Sequence, residues 1–224
     1  MFIGHYAASF AAKKAAPKLS LGLYFIGAQV LDVLFSLFVL LGIEKMRLVP
    51  GFTETNNYDL YYMPFTHSLV GAFAWAVVSA FVIFFALKLR REAIAFGVVV
   101  FSHFVLDVPV HTPDLPILGE DGAKLGFGLW RHWQAATALE LVLLAIGLII
   151  YVRFMKPITL AAPKRKTQIA LFSALLVLLT IATPFLPQPT SGAMFAVQAL
   201  AGYVGLAFLA RYVDRPLSKS QKAT

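Results

Sequence analysis

The chain has no cysteine among its 224 residues. That excludes a disulfide framework and thiolate chemistry, and leaves histidine and carboxylate as the metal-holding side chains. Charge is also scarce. Asp, Glu, Lys and Arg make up 13% of the residues, against roughly 25% in soluble domains. The sequence contains no glycine-rich phosphate loop and no GxSxG elbow, and Ser68 and Ser102, each beside a histidine, are weak nucleophile signals. The first residues do not follow a signal-peptide layout. Lys13 and Lys14 come after the apolar stretch instead of before it, and His5 interrupts it.

What remains is apolar. Hydrophobic residues make up 59% of the chain and the mean hydropathy is +0.77, which points to an integral membrane protein. The net charge of +8 lies in short clusters between apolar runs, a pattern of membrane topology more than of nucleic-acid binding. The reading is an all-α, polytopic transmembrane helical bundle of about six spans, near 19–43, 66–88, 93–111, 135–154, 167–186 and 193–212. An N-terminal half-helix or re-entrant segment precedes them. Lysines and arginines gather around 13–18, 88–91, 153–166 and 211–222. By the positive-inside rule both termini are cytoplasmic. The organisation expected is a site-bearing membrane core over 1–155, a supporting hairpin over 156–213 and a cytoplasmic tail over 214–224.

Ionisable residues inside such runs need a reason, because a charge at the bilayer centre costs about 2.5–3.5 kcal/mol on insertion scales. The candidates are His5, Asp32, His67, His103, Asp107, His111 and Glu140. At about 1.5 Å per helical residue, Asp32, His103 and Glu140 lie roughly 18–21 Å from their nearest basic clusters, and a turn at Pro17 to Ser20 brings His5 to a similar depth. Positions i, i+4 and i+8 share a helix face, so His103, Asp107 and His111 form one polar stripe, which Pro109 is placed to kink. An i, i+4 pair can hold one metal ion from a single helix. His132 reads as interfacial, Asp114 as a residue at the mouth, and Glu44 as solvated.

The stretches "MFIGHYAASFAAKK", "AQVLD", "PFTHSL" and "SHFVLDVPVHTPDLPI" resemble the bacterial membrane-bound, metal-dependent hydrolase family, also described as LexA-binding, inner-membrane-associated hydrolases. The family's motif histidines and aspartates fall on His5, Asp32, His67, and His103 with Asp107. Here the first Asp stands alone, where the commoner pattern has a Pro-Asp-x-Asp pair, and the Thr-His-Ser element lacks the preceding His-Arg-Gly. The resemblance implies a divalent metal, zinc first and iron or manganese next, held by those five residues with His111 as a sixth candidate. Glu140 is then general base or an acceptor that orients a histidine. The expected reaction is hydrolysis of an ester or phosphoester in a membrane lipid or lipid-linked substrate, at an intramembrane site. Two alternatives stay open: a divalent-cation or proton-coupled transporter using the same residues, and a protein whose buried ion pairs only fix helix packing.

Overall fold

The computed structural model describes residues 1–215. The chain opens with a short 3-10 turn, Ile3–His5, that runs into α1 (Tyr6–Ala15). Then come α2 (Leu21–Ala28) and α3 (Val30–Leu40), a hairpin of β1 (Lys45–Leu48) and β2 (Tyr58–Tyr62), α4 (Leu69–Leu87) and α5 (Arg90–Asp107). A second small hairpin, β3 (Leu115–Pro116) with β4 (Lys124–Leu125), leads to α6 (Trp133–Ala161), α7 (Pro163–Ala182) and α8 (Gly192–Val213). The architecture is an all-α bundle carrying two antiparallel hairpins in its loops.

Helix starts follow from local chemistry. Ser20, Ser68 and Ser191 sit with extended backbone and accept the N–H of Leu23, Gly71 and Met194, occupying donors that the first helical turn leaves unpaired.

Among the described residues, four helices are long and apolar enough to cross a membrane: Leu69–Leu87, Trp133–Ile158, Pro163–Phe185 and Gly192–Val213. A fifth exists if α2 and α3 count as one span, bent by 54°. The expectation of six spans is therefore corrected. The segment expected to span at 93–111 is α5, whose 18 residues include Arg90, Arg91, Glu92 and Asp107. The segment expected at 19–43 breaks at Gln29, whose side-chain amide donates to the Phe2 carbonyl at 3.2 Å. Of the expected tail, residues 216–224 lie outside the described residues.

The N-terminal segment packs inside the bundle. Ile3, His5, Tyr6 and Phe10 are fully buried, and α1 lies against α6 and α2. Gly147 of α6 makes that approach possible, since a Cβ there would lie 2.6 Å from the Ala7 Cα. α4 faces outward, with Phe73, Phe81 and Phe85 more than half exposed, as a lipid-facing surface would be.

Candidate metal centre

The break at Gln29 has a direct consequence for chemistry. It leaves the Ala28 carbonyl free to accept from Nδ1 of His103 at 2.6 Å. A carbonyl only accepts, so Nδ1 carries a ring proton and Nε2 is the nitrogen whose lone pair a metal could take once its own proton leaves. That nitrogen lies 3.0 Å from Asp107 Oδ2 and 3.6 Å from Asp32 Oδ1.

His67 is fixed in the same way. The Thr66 hydroxyl gives its proton to Glu44 Oε2 at 2.6 Å and so takes one from His67 Nδ1 at 2.8 Å. His67 Nε2 then faces Asp32 Oδ1 at 3.3 Å. The other oxygen of Asp32 accepts from the Tyr203 hydroxyl at 2.9 Å, which turns Oδ1 towards the histidines.

α5 ends at Asp107, and the turn through Pro109 brings His111 back towards it. His111 Nδ1 meets Asp114 at 2.9 Å, and Nε2 lies 3.6 Å from Asp107 Oδ1. The same oxygen stands 3.2 Å from His5 Nε2 and 2.9 Å from the Met1 amino group. His5 stacks on His103.

Two sets of side chains therefore converge, His5 with His103 and Asp107, and Asp32 with His67 and His103. Within each, the donor atoms lie within 4.8 Å of one another. His5, His67, His103, Asp107 and His111 are all buried. Both ring nitrogens of His5, and His103 Nε2, make no hydrogen bond. The two Nε2 atoms nonetheless lie 3.0–3.6 Å from carboxylate oxygens of Asp32 and Asp107. Ligands around a tetrahedral zinc ion, at about 2.0–2.1 Å from the metal, sit about 3.3 Å from one another. The observed separations of 3.0–3.6 Å match that spacing. The donor set can hold a divalent ion, with the other ring nitrogens of His67, His103 and His111 anchored as ligating histidines usually are.

Electrostatics differ between the two stacked rings. Burial holds the His5 pKa down at about 4, and the neighbouring His103 adds to the effect. Burial also opposes charge on His103, but Asp107 and Asp32 together outweigh it and hold its pKa up at about 10. In the ion-free protein an imidazolium thus sits between two carboxylates.

Glu140 takes a different position from these residues. It accepts the backbone N–H of Phe2 and of Gly4, the latter at 3.0 Å, and so ties down the turn that carries His5. Asp32, His67, Asp107, His111 and Glu140 line a cavity of about 290 Å³, whose walls include Phe35, Tyr58, Trp130, Phe195 and Tyr203. His132 precedes α6 and is exposed, outside this group.

Two partners, Glu44 and Tyr203, were not expected at the site, whereas the Thr66 hydroxyl bonds the His67 ring nitrogen as its place beside His67 suggests. Glu44, expected to be solvated, is 1% exposed and accepts from Phe65 N, Thr66 N and the Thr66 hydroxyl. Thr66 is the link between it and His67. Tyr203 reaches the site from α8, a helix expected only to support the fold.

The location of the site corrects the functional expectation. Its residues lie on the 3-10 turn, α3, the segment before α4, and α5, outside the four helices able to span a membrane. The centre is not intramembrane. The expected depth assumed straight spans over 19–43 and 93–111, and neither exists as such. The lipid-ester hydrolase and the transporter with an intramembrane site both rested on that depth and fall with it. The four apolar helices remain consistent with a multi-pass membrane protein. No family model, curated protein or solved structure matches the chain, so its likeness to the metal-dependent hydrolases rests on short motifs and no family is assigned.

Proposed function

We propose that the chain is a metal-dependent hydrolase, with a divalent metal centre at the floor of its cavity. One observation carries this reading. Buried imidazole nitrogens of His5 and His103 without hydrogen-bond partners converge with carboxylate oxygens of Asp32 and Asp107 at 3.0–3.6 Å, and both of these carboxylates line the cavity. Nitrogen and oxygen donors without thiolate fit zinc first, then manganese or iron. A metal bound there supplies Lewis-acid polarisation of the scissile group and a more acidic water near it.

The side chains have distinct roles in this proposal. Asp32, His67, His103 and Asp107 hold metal, and the N-terminal turn places His5 against Asp107. Glu44 with Thr66, and Tyr203, are positioning residues that aim His67 and Asp32. Glu140 positions the N-terminal turn, because its carboxylate is engaged by two backbone N–H groups. The cavity, with aromatic walls and a polar floor, takes a small organic group through its mouth. The protein resides in a bacterial inner membrane with both termini cytoplasmic.

The test is elemental analysis of protein purified without added metal, paired with turnover of chromogenic hydrolase substrates by wild type and by His67→Ala. Copurifying metal, and activity that His67→Ala abolishes, support the reading. Metal-free protein whose melting is unchanged by His103→Ala plus Asp107→Asn would leave the cluster as inert ion pairing and end it.

A further inference from the structure

The two donor sets share His103, and this sharing decides how many ions the site takes. His103 has its Nδ1 proton committed to the Ala28 carbonyl at 2.6 Å. Only Nε2 is left, with one lone pair, and one lone pair serves one ion.

The stacking of His5 on His103 bears on the same question. Their ring centroids are 3.8 Å apart and their planes differ by 10°. An imidazole lone pair lies in the plane of its ring. Two rings in nearly parallel planes cannot both aim in-plane at one point between them. Each can aim at its own ion, and the ring spacing then sets the ions apart by about the 3.5–4 Å of two-metal centres.

Asp107 is placed to span such a pair. Its Oδ2 lies 3.0 Å from His103 Nε2, while its Oδ1 lies 3.2 Å from His5 Nε2 and 3.6 Å from His111 Nε2. The ring of His111 is oriented by Asp114 through Nδ1, which leaves Nε2 facing Asp107. The Met1 amino group would give up its 2.9 Å contact with Oδ1.

We propose that the site takes two divalent ions, one among Asp32, His67 and His103 and one between His5 and Asp107, with the Asp107 carboxylate spanning them and His111 beside its Oδ1. This inference rests on the metal-dependent reading above and adds the number of ions and their division of ligands.

The experiment is metal counting on the full chain after saturation with zinc and removal of the excess. It is joined to electron paramagnetic resonance of the manganese(II)-loaded protein. About two zinc ions per chain are expected, with an exchange-coupled manganese spectrum, as ions this close require. His5→Ala and His67→Ala should each keep about one ion and lose the coupling. About one ion per chain in the wild type, with an isolated manganese signal, overturns this inference and leaves the metal-dependent reading standing. Wild type that binds no ion at saturation removes both. The wild-type measurements decide the matter even if a variant fails to fold.

Discussion

The imidazole rings of His5 and His103 lie face to face at 3.8 Å, although 98 positions separate them in the chain. What holds His5 there is Glu140, on α6, through the backbone N–H groups of Phe2 and Gly4. Glu140→Ala removes both bonds without touching a proposed ligand. Metal affinity is expected to fall about 10–100-fold, the usual cost of losing an outer partner, as measured by competition with a chelator. Affinity within twofold of wild type would show that Glu140 does not place His5.

The Thr66 hydroxyl is a second such device. Thr66→Val keeps the shape, removes the hydroxyl, and leaves His67 Nδ1 and a nearly fully buried Glu44 each short of a partner. A buried group left unpaired costs about 1–3 kcal/mol. Thr66→Val should lower both the melting temperature and metal affinity, and Thr66→Ser should restore both. Thr66→Ser behaving like Thr66→Val in a thermal-shift assay would mean the methyl group, not the hydroxyl, matters.

The histidines and aspartates stood out in the sequence because each is costly within an apolar run, and their regular spacing put His103 and Asp107 on one face. Five of them make up the two converging sets. The rest was not legible, for physical reasons. Glu44 reads as a solvated loop residue, and it becomes buried only because the β1–β2 hairpin returns the chain so that Thr66 meets it. Tyr203 lies 171 positions from Asp32, and no local pattern links them. The break at Gln29 looks like continuous apolar helix in hydropathy, since a single glutamine that bonds to Phe2 barely changes the average. That break and the charges on α5 are what move the centre out of the expected membrane interior.

Docking of α1 on α6 depends on a missing side chain. In Gly147→Ala the new Cβ would stand 2.6 Å from the Ala7 Cα and 3.0 Å from its carbonyl oxygen. Backbone gives little, so a loss of about 1–3 kcal/mol is expected, visible as a lower melting temperature in detergent. Gly205→Ala on α8 is the control, because nothing lies within 4 Å of its added Cβ. It should be neutral or gain about 0.5–1 kcal/mol of helix stability. Equal behaviour of the two variants would mean that close approach at Gly147 is unimportant.

The imidazolium of His103 sets the pH dependence of metal binding. Its pKa rises from 6.5 to about 10 on folding, because Asp107 and Asp32 outweigh the effect of burial. In the ion-free protein this pairing contributes stability that is complete below pH 6.5 and is lost as pH rises through about 10. A metal needs the Nε2 lone pair, so binding at neutral pH must expel that proton. Binding should therefore release protons, and affinity should rise with pH between 6 and 9, by up to about tenfold per unit for one proton. Calorimetric titrations in buffers of different ionisation enthalpy count the protons directly. The apparent binding enthalpy should change with the buffer, and His103→Ala should remove that part of the dependence. Enthalpies identical in all buffers would mean that no proton leaves, and that His103 is neutral before the metal arrives.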